Sequence, residues 1–378
     1  MKKEMKILSC TGIVGYGFPE ESFYAGDALK PDLIACDAGS TDPGPYYLGA
    51  GIPFTNATAV KRDMTLMLKA ARELDIPLVI GTCGGAGANP HLMREVGILK
   101  EIAAENNLSF KLAVITSEFQ KEYLVEALHA GKMAKLGPAP EITEEEINAS
   151  THIVAQMGIE PIIDALDNGA QVVLTGRCYD PAAFAAPAIR LGYDKALALH
   201  LGKILECAAI CATPGSGSDC IMGYLGEDYF KVEPLNPIRC CTPLSVSAHT
   251  LYEKTNPYLL PGPGGMLDYL GEVYDDTTGL WEERYGRRVE LTFGLDTYAP
   301  GGMQDELQNA GSLLAGALAS GSPEGLAVGR FALGETEYDG KARLLKRTAE
   351  VVCTGWLCAV KRAEEPFLDF ELRGVLKQ

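Results

Sequence analysis

Three short segments place ionisable and polar side chains directly after apolar runs, where acid–base chemistry can be done. Cys36-Asp37-Ala38-Gly39-Ser40-Thr41-Asp42-Pro43-Gly44-Pro45 follows the apolar run Leu33-Ile34-Ala35, so carboxylates, hydroxyls and free amides collect at one strand end. Gly81-Thr82-Cys83-Gly84-Gly85-Ala86-Gly87-Ala88-Asn89-Pro90 follows a second apolar run. Thr175-Gly176-Arg177-Cys178-Tyr179-Asp180-Pro181 follows a third. Asp37 and Asp180 are candidate general acid and base, and Arg177 can grip a carboxylate with its planar fork. Two plainer readings compete: a tight turn at Asp37–Pro45, and a buried structural ion pair between Arg177 and Asp180.

The Gly81–Gly87 stretch is neither a Gly-x-x-x-x-Gly-Lys-Ser/Thr loop nor a Gly-x-Gly-x-x-Gly turn. It can still form an amide nest for an anion ahead of a helix. Gly39, Ser40, Thr41, Thr82, Cys83, Gly84 and Gly85 are therefore the expected substrate contacts at these strand ends. Cys36 and Cys83 end neighbouring strands, and two facing thiols are a candidate two-base pair for carbon-acid racemisation; the plain reading is that they pack as small hydrophobes.

Two further groups lie downstream. In His200-Leu201-Gly202-Lys203-Ile204-Leu205-Glu206-Cys207, His200, Lys203 and Cys207 share one helical stripe, with Glu206 beside it. Ionisable groups on so apolar a helix need partners or a site to face. His200 is a candidate substrate contact and Glu206 a candidate acid/base. His249, in Ser245-Val246-Ser247-Ala248-His249-Thr250, is another, although a lone helical histidine is usually structural. There is no Cys-x-x-Cys, His-x-x-x-His or EF-hand spacing, so no metal is expected, and without a specific nucleotide-binding motif no cofactor is expected.

The elements that must position these groups follow from periodicity. Strands are expected at Lys6–Val14, Asp32–Cys36, Pro77–Gly81, Lys111–Thr116 and Gln171–Thr175. Helices are expected at Pro19–Lys30, Asn56–Asp75, His91–Asn107, Gln120–Lys132 and Glu160–Asn168, and two buried helices within Ala182–Ala212. Apolar strands alternating with amphipathic helices predict an α/β fold, a doubly wound, mostly parallel sheet over residues 1–212. In such a sheet the three polar segments share the rim beyond the strand carboxyl ends. From about Thr213 the texture changes to Gly-Ser-rich turns and short β-like runs such as Arg288–Phe293, which predicts a second, α+β domain over 213–378. Pro138–Asn148 reads as a surface excursion, and Ala342–Lys361 as either a helix or a strand pair.

Bulk properties exclude several classes. The 378 residues carry a formal net charge of −17, which argues against nucleic acid as a partner. No run approaches the roughly 18 apolar residues of a membrane span, and the segment after Met1 lacks the pattern of a secretory signal. Eleven cysteines, an odd number, point to reduced thiols and a cytoplasmic setting.

Ala35–Gly49, the Leu174-Thr175-Gly176-Arg177 run with Asp180, the His200–Cys207 run and Ser247-Ala248-His249-Thr250-Leu251-Tyr252-Glu253 together resemble the acyclic terpene utilisation (AtuA-like) family, over roughly Ile7–Gly265. The resemblance implies an α/β protein of a degradative pathway. Some relatives work beside or fused to a small ferredoxin-like domain, so it also implies a partner of that kind. Residues and resemblance combine into one expectation: a homo-oligomeric, cofactor-independent hydratase/lyase acting on a small anionic organic acid or its thioester. Asp37, Arg177, Asp180, Glu206 and His249 would do the chemistry. The alternatives are a Cys36/Cys83 racemase or isomerase and a non-catalytic ligand-binding subunit.

Overall fold

The structure is a computed structural model that describes residues 4–135, 139–251, 256 and 259–269 and, as backbone, strands 328–338, 344–353, 357–362 and 370–373. The chain divides into two compact units, residues 1–250 with 258–270, and residues 251–257 with 271–378. In chain order the first unit contains β1 (Met5–Ser9), α1 (Glu20–Ala28), β2 (Leu33–Gly39), α2 (Tyr46–Ala50), α3 (Ala57–Glu73), β3 (Leu78–Gly85), α4 (Asn89–Glu105), β4 (Leu112–Ile115), α5 (Lys121–His129), α6 (Glu144–Ala149), α7 (Glu160–Asp167) and β5 (Val172–Thr175). It continues through α8 (Ala182–Arg190), α9 (Lys195–Leu205), β6 (Ile221–Leu225), β7 (Phe230–Pro234), α10 (Pro243–Leu251) and the hairpin of β8 (Leu259–Gly262) and β9 (Gly265–Asp268).

Seven strands form one sheet in the order β4-β5-β3-β2-β1-β6-β7. The five from β4 to β1 run parallel, whereas β6 and β7 are antiparallel additions at one side. The α/β class and mostly parallel sheet are therefore as expected. The expected boundary at 212/213 falls inside the first unit, because β6 returns against β1 along its whole length. The composition shift near Thr213 marks the change from parallel to antiparallel pairing within one sheet.

Period-2 alternation explains the layers. Leu8, Ile34, Cys36, Ile80 and Leu174 point into a core shared with Met64, Leu68, Leu92 and Leu99 of α3 and α4. The alternate positions face α8 and α9: Ser9 Oγ donates to the carbonyl of Leu205 at 2.6 Å, and Gly223 packs on Leu201 and Leu205. Because both faces are covered, β2 and β3 are buried at every residue. Helix α3 starts where Asn56 caps it, its side chain accepting the Thr58 and Ala59 amides at 2.8 and 3.4 Å.

The second unit contains β10 (Val328–Tyr338), β11 (Leu344–Cys353), β12 (Leu357–Arg362) and β13 (Phe370–Arg373), an antiparallel meander in chain order. The described residues of Ala342–Lys361 thus form a strand pair, β11 with β12. Arg288–Phe293 lies outside the described residues. Among those described, no helix is long and apolar enough to cross a membrane.

One core position is costly. Glu95 on α4 is only 2% exposed; its Oε1 lies 3.3 Å from Arg94 Nη1, and Oε2 has no hydrogen-bond partner among the described residues. Burial pushes its pKa from 4.5 up to about 7, against the pull of Arg94. Below pH 4.5 the group is neutral in both folded and unfolded chains and costs nothing. As pH rises to about 7 the unfolded chain ionises first, so stability is lost, and above that the loss is constant. Glu95→Gln is expected to leave urea stability nearly unchanged at pH 5 and to raise it at pH 8 by at most about 3 kcal/mol. Equal effects at the two pH values would contradict the assignment.

Candidate active site

The carboxyl ends of β2, β3 and β5 meet, and a side-chain tie across β3, β4 and β5 fixes how closely. Ser117, just after β4, donates through Oγ to the Gly87 carbonyl at 3.1 Å and accepts the Arg177 amide at 2.6 Å. Gly87 has φ +72°, and a Cβ there would sit 2.1 Å from the Arg177 amide nitrogen. Only glycine lets the loop after β3 and the loop after β5 touch at this point.

Thr82 supports the side chain of Arg177. It holds φ +46°, an unusual conformation for a β-branched residue. Its Oγ1 accepts the Cys178 amide at 3.3 Å and lies 3.5 Å from Arg177 Nη1. The same Nη1 contacts Asp180 Oδ1 at 2.9 Å. Both contacts use one nitrogen of the guanidinium and leave the rest of its fork for other acceptors. Helix α9 packs against Pro181 at Gly202, which brings up the buried ion pair of Lys203 with Glu206.

Asp37 is buried at the centre. Its Oδ1 accepts the amides of Ala38 at 2.8 Å and Gly39 at 3.3 Å, so Oδ2 is the oxygen that can carry a proton. Burial holds its pKa well above the usual carboxylate range; the negative charges of Asp180 and Glu206 add to this, and Arg177 opposes it. For Arg177, burial disfavours the charge, but the surrounding carboxyl groups, Asp180 first, outweigh that and keep the guanidinium positive. The Tyr179 phenol is pushed up to about 12, first by burial and then by Glu206, against the effect of Lys203. Its hydroxyl has no hydrogen-bond partner among the described residues. Three carboxyl groups thus lie with the cations of Arg177 and Lys203 in a buried, low-dielectric cluster, where burial and the neighbouring negative charges favour the protonated form of Asp37.

The structure brings together four of the expected residues, Asp37, Arg177, Asp180 and Glu206, with Thr82 beside them. Tyr179, Lys203 and Ser117 complete the group. Tyr179 and Ser117 carry no sequence signal of their own; Lys203 was visible on the α9 stripe but not as the partner of Glu206. Other expected residues lie elsewhere. Gly84 and Gly85 continue β3 and pack against His91 and Phe54, on a different side from Thr82 and Arg177. Gly39 is a spacer pressed on Thr82, and Ser40 and Thr41 build the turn that follows, with Ser40 Oγ accepting the Asp42 amide at 3.1 Å. Cys36 and Cys83 are fully buried in the α3/α4 core, where Cys36 Sγ donates to the Thr11 carbonyl at 3.0 Å and burial raises both thiols. Sealed, protonated thiols offer no two-base geometry.

His200 is buried edge-on to both Phe230 and Tyr269. Its Nε2 lies 3.0 Å from Thr250 Oγ1, which donates to the Val246 carbonyl, so the imidazole is the donor to Thr250. That ties α9 to α10. His249 is buried on α10, and it is not among the charges that dominate Asp37, Arg177 or Tyr179. Among the described residues, no group of three or more His, Cys, Asp or Glu is arranged to hold a metal ion.

Residues 56–219 match the sequence model of the acyclic terpene utilisation family protein AtuA, the family that the motifs resemble. The matched span runs from the cap of α3 through β3, β5, α8 and α9, and so carries Thr82, Arg177, Asp180, Lys203 and Glu206. No curated protein and no solved structure matches the chain significantly.

The Gly87 contact predicts a contrast between two glycines. Gly87→Ala adds left-handed strain and a backbone clash and is expected to destabilise the chain by more than about 2 kcal/mol in urea denaturation. Gly97→Ala, in open space on α4, is expected to be neutral or to stabilise by up to about 1 kcal/mol. Equal effects would contradict the close approach at Arg177.

Proposed function

We propose that the protein is a catabolic enzyme, a lyase that removes or adds water next to the carboxylate or thioester of a small, branched acyclic acid. The buried cluster in which Asp37 keeps its proton while Asp180 pairs with Arg177 carries this reading. Two carboxyl groups whose surroundings push their protonation states apart are a ready acid and base. The family match supports the setting, a pathway that degrades acyclic terpenes.

In the dehydrating direction, the open part of the Arg177 fork and the Tyr179 hydroxyl hold the substrate carboxylate or thioester oxygen. Asp180 takes the proton from the adjacent carbon, and the charge that builds on the substrate oxygen is met by Arg177 and Tyr179. Asp37 gives its proton to the departing hydroxyl, which leaves as water. Asp180 is then protonated and Asp37 ionised, and solvent restores both. A phenol held near 12 stays a hydrogen-bond donor throughout the neutral range. Lys203 balances Glu206, so that Glu206 adds to the field that holds the Asp37 proton.

The test is a panel of branched hydroxy and unsaturated acids, free and as thioesters, incubated with the full chain in deuterated water. Deuterium is expected at the carbon next to the carboxyl, together with turnover. Asp37→Asn should cut turnover by about 10²–10⁴-fold while exchange persists, and Asp180→Asn should abolish both. Absence of exchange and turnover on every acid, or exchange that survives Asp180→Asn, would overturn the reading.

A further inference from the structure

Away from the cleft, a second cluster of reactive groups gathers where the turn after α9 meets the strand-like segment before α10. Cys207, Cys211, Cys240 and Cys241 are the thiols there. Thr213 and Cys240 exchange both backbone hydrogen bonds, at 2.8 and 3.0 Å, which fixes the two segments side by side in antiparallel register. Across that bridge, Cys211 Sγ and Cys241 Sγ are 3.9 Å apart. A disulfide bond is about 2.05 Å long, so closure needs roughly 2 Å of sulfur movement, within reach of χ1 adjustments on a backbone that is already paired.

The exposures are graded. Cys211 is buried, Cys241 is half-buried, and Cys240 is exposed, so an oxidant reaches this cluster from the Cys241 side. Cys211 is as fully buried as Cys10, Cys36, Cys83, Cys178 and Cys220, and it is the half-buried Cys241 beside it that opens this pair to solvent. Thiol–disulfide exchange needs an accessible attacking thiolate and a second thiol poised to displace the mixed disulfide. Cys241 and Cys211 meet those two requirements in that order.

We propose that Cys211 and Cys241 form a reversible redox modification site that exchanges with low-molecular-weight disulfides of the glutathione type. The Cys241 thiolate attacks one sulfur of R–S–S–R, forms a mixed disulfide and releases one thiolate. Cys211, passing its proton to the released thiolate, then attacks the Cys241 sulfur, closes the protein disulfide and releases the second. The two protons from the cysteines end on the two R–SH products, so two protein thiols are oxidised and one small disulfide is reduced. The bond pins the turn after α9 to the segment leading into α10, the helix whose Thr250 accepts from His200.

The experiment uses the full chain and oxidised glutathione, with thiols counted after denaturation and linked peptides identified by mass spectrometry. The wild type is expected to lose two of its 11 thiols, to yield one linked pair, Cys211 with Cys241, and to recover both thiols with dithiothreitol. Cys211→Ser should form no link and accumulate glutathione on Cys241 at least tenfold above wild type. Cys241→Ser should likewise form no link, which keeps the test open should the buried serine of the first variant prevent folding. An unchanged thiol count, a different linked pair, or glutathione held stably on Cys240 or Cys241 of the wild type would overturn the assignment.

Discussion

A cluster of buried charge organises this structure: among the described residues, Asp37, Asp180 and Glu206 lie with Arg177 and Lys203. Ionised groups in a low-dielectric interior must be paired, or they change protonation state. Two of the carboxyls have direct cationic partners. Asp37 has two backbone amides on one oxygen, which favour its charge, but burial and its neighbours' negative charges outweigh them and shift it towards the protonated form.

Much of the surrounding backbone serves that arrangement. The parallel strands end together, and β3 runs on through its glycines to Gly85, where it pairs with Gly39. The loop after β5 can then approach close enough for Ser117 to join it to the loop after β3. Thr82 accepts a strained backbone conformation beside Arg177, and strain of this kind is retained where surrounding contacts over-determine it. The helical layer of α8 and α9 closes the far side and supplies the Lys203–Glu206 pair. His200, which drew attention in the sequence, instead lies among aromatic rings at the α9–α10 junction, where its imidazole is hydrogen-bonded to Thr250.

The parallel half of the fold was legible because both faces of its sheet are buried, and continuous apolar runs such as Leu33–Cys36 and Val172–Thr175 have few other uses. The additions β6 and β7 were not, because antiparallel edge strands carry a mixed pattern that reads equally well as a separate domain. That Asp37, Arg177 and Asp180 would lie at one rim was legible from strand-end position alone. Gly84 and Gly85 resemble a loop by composition, yet they are strand residues set against His91 and Phe54. Tyr179 and Ser117 were silent, since one buried phenol or hydroxyl is distinguished by its neighbours in space and not by its neighbours in sequence.

The retained proton on Asp37 is the central claim, and isotope-edited carboxyl infrared spectroscopy of the full chain across pH tests it most directly. With ¹³C-aspartate labelling and Asp37→Asn to identify the band, a protonated carboxyl stretch from Asp37 should persist well above the range in which ordinary aspartates ionise. Its midpoint should fall when Asp180→Asn or Glu206→Gln removes a neighbouring negative charge. An Asp37 band that titrates with the ordinary aspartates and is indifferent to both substitutions would contradict the account.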